Sequence, residues 1–461
     1  MQKFFFLIPF ILLFTFFSCG NKPSETENQV SETDSIIKQE LPKEKIIEKV
    51  ICDNDPRFSY ALYLPKNYNE KELYPLLFLF DAHAKGTLPL EKYKTLADEF
   101  GFMLACSNES KNGIASALYE EIKTAALEDL KQKVRVDPKR IYLGGFSGGA
   151  RVAINLTVAD PSIAGVLSNS AGFEPSRAPL RNEMAIIGLT GNEDFNWMEQ
   201  NKTERSLDAY LFPHYLVEFD GKHAWAPEAA MKRALVFLDC AAKRKGSTSK
   251  NENAVKAFFD EDIAKLASLK QKNEKFLWLK MILSFYSGVY DVKKQEEDFS
   301  KLKEDAEIKK ILTDNEAAQT KEAMLQNDYY KKVFEEELPW WESEIKKMNA
   351  EKKGSEKYRL NKRLLSYISL GVYMTINSPE AKADDYVSEK LIRLYSLVDP
   401  ENAEWAYLSA VLKAKQGNAK AALEFLKQAV TLGFEDKDRA TNQMEFQKLI
   451  SAVELQAALN K

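Results

Sequence analysis

Three histidines serve the whole 461-residue chain, His83, His214 and His223, so any proton transfer that needs an imidazole near neutral pH must draw on one of them. The stretch LGGFSGGAR, residues 143–151, sets Ser147 between Phe146 and Gly148 in a G-x-S-x-G pattern. It follows the β-rich run RIYLGGF and precedes GGARVAINLTVA, which reads as a helix. At such a junction the glycines permit a tight turn and leave the serine oxygen exposed at the sheet edge. A serine there becomes a nucleophile only with a base beside it and an acid to fix the base's tautomer. His223, in FDGKHAW after the last β-rich run, stands third in the order serine, acid, histidine. The acid belongs at the end of the strand between them, where MAIIGLTGNED offers Glu193 and Asp194. Asp194 is the better choice because it has turned clear of the strand, with Glu193 as the alternative. Asp220 is too close to His223 along the chain for the side chains to face one another, and reads as a loop hydrogen-bonding group. His214, in an apolar run after Pro213, reads as a packed strand residue, and His83 as a loop residue after an early strand.

A tetrahedral oxyanion needs two N–H donors. Gly148, next after the serine, supplies one, and Ala84 in the loop FLFDAHAKG, residues 78–86, is the expected second. Phe146, Trp197 and Trp225 are candidate cleft walls, with His83 beside them, although each aromatic has a plain core role open to it. This chemistry calls for no cofactor and no metal.

Positioning these groups requires a sheet. Between residues 46 and 245, β-rich runs alternate with helical stretches: 49–53, 60–65, 75–82, 100–107, 140–147, 165–172, 184–191 and 214–221. Several are continuously apolar, as strands buried on both faces should be. The expected class is α/β, a doubly wound, mostly parallel sheet followed by an all-α C-terminal half. The connection from 172 to 184 is too short for an inserted helical lid, which predicts an open site. Beyond Lys245 glycine nearly vanishes and apolar residues recur at helical spacing, as in Phe276, Leu279, Leu283 and Tyr286. Breaks near 245–253 and 352–355 divide this part into a helical segment, 246–353, and a C-terminal helical domain, 354–461. In the latter, Gly417, Ala422 and Ala429 have the spacing at which a tetratricopeptide repeat turns from its first helix to its second. The alternative is a generic helical bundle.

The blocks VDPKRIYLGGFSGG (136–149), YALYLPKNYNEKELYPLLFLFDAH (60–83), the G-x-x-D at 191–194 and GKHAW together resemble α/β-hydrolases of the bacterial esterase and polyester-depolymerase group. The resemblance covers roughly residues 55–242, and the first block is its most specific part. It implies a carboxylesterase that works through Ser147, Asp194 and His223 and an acyl-enzyme, with acyl groups on carbohydrates the expected substrate where aromatic side chains wall an open cleft, and a serine peptidase as the nearest rival. Where such enzymes have His-Gly, this chain has His83 and Ala84. An inactive hydrolase scaffold whose helical half binds a protein partner is the reading from another class.

Charge adds an exclusion. The 65 basic and 69 acidic residues are interspersed, for a net −4, so no basic field marks the chain as a nucleic-acid binder. The apolar run from Phe4 to Phe17 is too short to span a bilayer and reads as the core of a signal peptide, residues 1–19. The Ser18-Cys19-Gly20 that follows resembles the processing site of bacterial lipoproteins. That implies an exported protein held to a membrane of the cell envelope by acylated Cys19; an ordinary secretion signal is the alternative. Residues 20–45, rich in Ser, Thr, Asn, Gln, Glu and Lys, have the composition of a solvated tether. Cys106 and Cys240, in apolar segments, are expected to be buried.

Overall fold

Each of the eight β-rich runs overlaps a strand: β1 Ile46–Ile51, β2 Ser59–Tyr63, β3 Tyr74–Phe80, β4 Met103–Ser107, β5 Val136–Phe146, β6 Gly165–Asn169, β7 Ala185–Gly191 and β8 His214–Phe219. The structure is a computed structural model describing residues 41–182 and 184–460. The expected signal segment, Cys19 and nearly all of the tether lie outside the described residues. The strands form one sheet in the order β1-β2-β4-β3-β5-β6-β7-β8. The first two run antiparallel to their neighbours and the rest are parallel. The strands β3, β4 and β6 are buried along their whole length, which is why they read as unbroken apolar runs. The run expected from 100 begins later as a strand, because Phe100 closes a helix and Gly101, at φ +68°, caps it.

Helices α1 (Thr87–Phe100), α2 (Ser116–Lys133), α3 (Gly148–Ala159), α4 (Trp197–Leu207) and α5 (Glu228–Lys243) connect and cover the strands. The apolar core continues past residue 245. Helices α6 (Glu252–Ser268) and α7 (Lys272–Tyr286) bring Val255, Met281, Ile282 and Phe285 into the same cluster as Leu77, Tyr142 and Phe237. Buried Asp262 fastens the join, accepting from Arg233 at 3.0 and 3.2 Å and from the Tyr286 hydroxyl at 2.7 Å.

The remaining helices are α8 (Lys293–Lys303), α9 (Ala306–Glu335), α10 (Leu338–Asn349), α11 (Glu356–Ile376), α12 (Pro379–Ala383), α13 (Asp385–Val398), α14 (Ala403–Lys415), α15 (Ala419–Thr431), α16 (Lys437–Thr441), α17 (Met444–Leu449) and α18 (Ala452–Leu459). They build two further cores, one around Trp341, Leu364 and Leu391, the other around Tyr407, Leu426 and Phe446. The helices α14 and α15 form a hairpin that turns at Gly417, φ +77°, with Ala422 and Ala429 fully buried between neighbours. The chain from Pro42 onward is one compact unit. Among the described residues no helix is long and apolar enough to cross a membrane.

Candidate active site

Ser147 stands between β5 and α3 at φ +54°, ψ −117°, a left-handed conformation that non-glycine residues adopt at a cost of about 1–3 kcal/mol. The turn is over-determined by its surroundings. The Ser147 N–H donates to the Asn169 carbonyl at 2.9 Å, and its own carbonyl accepts from Ala150 and Arg151 at 3.1 and 3.2 Å. The flanking glycines are needed for close approach: a methyl on Gly145 would stand 2.4 Å from the Gly149 carbonyl carbon, and one on Gly149 2.1 Å from the Phe80 oxygen.

The ends of β7 and β8 carry the partners. A side chain on Gly191 would meet the Gly221 oxygen at 2.3 Å, so the two strand ends, and the loops that follow them, are in contact. His223 Nε2 lies 2.9 Å from Ser147 Oγ, and its Nδ1 lies 2.8 Å from Asp194 Oδ1. Asp194 is fully buried. Its Oδ1 also accepts the Asn196 N–H at 2.8 Å, while Oδ2 has no hydrogen-bond partner among the described residues. A buried carboxylate so sparsely bonded gains strongly from a cation on the imidazole beside it. Glu193, the alternative acid, instead uses its backbone N–H to bond Gly221 O at 2.9 Å. The fold is that of an α/β hydrolase.

No family model matches the chain, and no curated protein matches it. Among solved structures it is similar to the S-formylglutathione hydrolase FrmB of Staphylococcus aureus, at 16% identity over 39% of this chain and 90% of that one, TM-score 0.33. It is also similar to FphF, a fluorophosphonate-binding serine hydrolase of the same organism, at 14% identity over 42% and 98%, TM-score 0.35. A ferulic acid esterase matches at 16% identity over 41% and 94%, TM-score 0.34.

Next to Ser147, the N–H groups of Gly148 and Gly149, in the first turn of α3, find no protein acceptor among the described residues. The Ala84 expectation needs correction. Its backbone is left-handed, φ +59°, and its N–H is taken up by the Ser110 carbonyl at 2.9 Å, while the His83 N–H is held by Asp81 Oδ1 at 2.8 Å. The group that does lie beside Gly148 is the side-chain amide of Asn112: a Cβ on Gly148 would fall 1.8 Å from its Oδ1, an acceptor, and 3.3 Å from its Nδ2, the donor. A bond from the Asn112 N–H to Ala82 O at 2.9 Å holds that loop in place. In the sequence, SNESKNG gives no hint of it.

The aromatic residues divide. Phe146 packs on His223 at 4.7 Å between ring centroids. A second aromatic partner of His223, at 4.1 Å between ring centroids, is Phe195, which sequence reasoning passed over although it adjoins Asp194. Trp225 is not a cleft wall. It is 8% exposed, packs on Tyr93 and Phe146, and donates its indole N–H to Asp81 at 2.9 Å. Trp197 is likewise engaged, its indole N–H by Glu218 and its ring by the Arg363 guanidinium, 4.2 Å from the centroid. His83 is at the surface, its side chain 66% exposed.

His214 belongs to a polar cluster separate from Ser147, His223 and Asp194. Its Nε2 lies 3.1 Å from Asp208 and 4.0 Å from Glu204. Burial pulls the imidazole pKa down, but the Asp208 hydrogen bond and the Glu204 charge outweigh it and hold His214 above its ordinary value. These three residues have the proximity of a metal-ligand set. The Lys280 ammonium sits 3.2 Å from Glu204 and 3.1 Å from Asp208, so a cation of the chain's own already faces both carboxylates. Cys52, Cys106 and Cys240 are buried and unpaired, and burial pushes the Cys52 and Cys240 thiols up to about 12. They are poor nucleophiles.

The expectation of an open site also changes. Only a short turn, Pro175–Arg177, occupies the 172–184 connection, yet the helical half reaches three loops at the rim. Lys85 pairs with Glu435 at 2.8 Å, Lys222 with Glu401 at 2.8 Å, and Asp220 with Arg359 at 3.5 Å. The Asn192 carbonyl accepts from Arg363 at 2.8 Å.

Proposed function

We propose that the chain is a serine hydrolase that cleaves carboxylic esters. The observation that carries this is the hydrogen-bonded series Ser147–His223–Asp194, with the serine on a left-handed elbow. In this reading Ser147 Oγ attacks the carbonyl carbon as its proton passes to His223 Nε2. Asp194 holds the other ring N–H and stabilises the imidazolium. Collapse of the tetrahedral intermediate sends that proton to the departing alcohol oxygen and leaves an acyl group on Ser147. Water, deprotonated by His223, then releases the acid.

The oxyanion is met by the Gly148 N–H and, in place of Ala84, by the Asn112 side-chain amide. Support for the second donor is that its Nδ2 would stand 3.3 Å from a Cβ on Gly148, and that the His83 and Ala84 amides are already engaged. Removing one such donor costs about 100-fold or more in kcat. Asn112→Ala should therefore lower kcat on p-nitrophenyl acetate by that order with KM little changed, and an Asn112→Ala protein of wild-type kcat would remove Asn112 from the site.

A sugar alcohol, which aromatic walls at Trp197 and Trp225 would have favoured, loses that support because both indoles are engaged elsewhere. The substrate panel is therefore acetylated and feruloylated saccharides beside short peptides. Fluorophosphonate labelling of Ser147, absent in Ser147→Ala, tests the reaction class, and an unlabelled wild-type protein would refute it. Anchoring through Cys19 belongs to the same reading and is tested by palmitate labelling lost in Cys19→Ala.

A further inference from the structure

Four polar contacts join the helical half to the loops around the triad, and their burial separates them. The Lys85–Glu435 and Lys222–Glu401 pairs are more than half exposed on every side chain, and Asp220 opposite Arg359 is 91% exposed. Such pairs contribute at most about 1 kcal/mol each. The fourth is different. Arg363 of α11 and Glu322 of α9 are 5% and 3% exposed, joined by two bonds of 2.7 Å. The remaining guanidinium nitrogen leaves its own half of the chain and donates to the Asn192 carbonyl at 2.8 Å, while the guanidinium plane covers the Trp197 ring.

Stability alone does not account for this arrangement. Two buried charges lose several kcal/mol of hydration each, and apolar residues of similar volume commonly do as well or better. What apolar residues cannot do is hold a carbonyl at a fixed point. Asn192 is two residues before Asp194. Its side chain also donates to Asp220 at 2.5 Å and accepts from the Gly221 N–H at 3.3 Å, which ties the acid loop to the loop that carries His223. Arg363 thus grips the residue that links the two loops.

Building on the serine-hydrolase reading, we infer that Arg363, held by Glu322, is a positioning residue for the catalytic acid, so that the helical half is a structural part of the active site. Its planar fork meets both Glu322 oxygens and the Asn192 carbonyl from three separate nitrogens, a bidentate geometry that an ammonium, with all its donors on one nitrogen, does not reproduce. Releasing Asn192 lets Asp194 drift from His223, and a displacement of about 1 Å at a catalytic group can cost about 100-fold.

The test uses the full chain. Removing both charges together in Arg363→Met with Glu322→Met avoids stranding one of them in the interior. That protein should show kcat on p-nitrophenyl acetate reduced about 10-fold or more, KM within about 2-fold, and a matching fall in the fluorophosphonate labelling rate of Ser147. A folded double variant with wild-type kcat overturns the inference. Should the double variant fail to fold, Arg363→Lys keeps the charge beside Glu322 but not the fork, and must still lower kcat at constant KM; wild-type kcat there is equally fatal. The matched control is Arg439→Met with Glu404→Met, a second bonded pair of the helical half, which should lower the melting temperature and spare kcat. An equal loss of kcat in the control would make the effect general loosening and overturn the assignment. A wild type with no Ser147-dependent turnover would remove the hydrolase reading and this one with it, whereas an active wild type indifferent to Arg363 removes this one alone.

Discussion

Ser147 carries the strain of its elbow for the sake of its oxygen, and that conflict can be measured. Replacing it with glycine relieves the left-handed backbone and deletes the nucleophile. Ser147→Gly should therefore be inactive yet more stable, by about 1 kcal/mol in chemical denaturation; a variant no more stable than wild type would show that the elbow stores no strain. The hydrogen-bonded series of Ser147, His223 and Asp194 could be anticipated from the sequence because only three histidines compete and the order serine, acid, histidine leaves one place for each. Phe195 and Asn112 could not be read this way. Phe195 meets the imidazole only because the acid loop folds back over it, and Asn112 reaches Gly148 through a loop whose course local sequence does not specify. Ala84 was misjudged for a similar reason. An amide is a free donor only if no carbonyl nearby accepts it, and the Ser110 carbonyl comes from a loop more than twenty residues away.

The strands were legible because burial on both faces writes a continuous apolar run, and β7 and β8 ended where the acid and base were expected. The extent of the core was not legible, since the helical periodicity of α6 and α7 says that they bury a face without saying against what. The start of β8 carries a pH prediction. His214 is held above its ordinary pKa, chiefly against the pull of burial, by Asp208 and Glu204. Burial raises the Asp208 carboxyl, but the bond from His214 and the charge of Lys280 outweigh it and set it below its ordinary value. A group raised in the folded state stabilises fully below its unfolded pKa and loses that contribution as pH climbs through the folded one. A lowered carboxyl stabilises above its unfolded pKa and loses its contribution as pH falls. The pair therefore works best between about pH 4 and 6.5. His214→Gln should cost most stability in that window, with the deficit shrinking above it, while Ser147-dependent turnover persists at neutral pH. A deficit that grows with pH, or a folded but inactive variant, would contradict the assignment.

Across the whole molecule, the sequence announced a helical half but not its position against the catalytic rim, because the contacts pair single charged residues up to 350 positions apart. The exposed contacts should matter little: Lys85→Ala with Lys222→Ala is expected to change stability by less than about 2 kcal/mol, and less still at high salt. A larger loss would mean that these rim contacts do more than exposed ion pairs ordinarily do. Everything proposed for the site turns on a covalent step at Ser147. Its most direct measurement is intact-protein mass spectrometry of the chain quenched during turnover of p-nitrophenyl acetate. The expected result is one added acetyl group that maps to Ser147, is cleared in time by water, and is absent from Ser147→Ala. Turnover that persists in Ser147→Ala, or an acetyl group carried elsewhere, would contradict it.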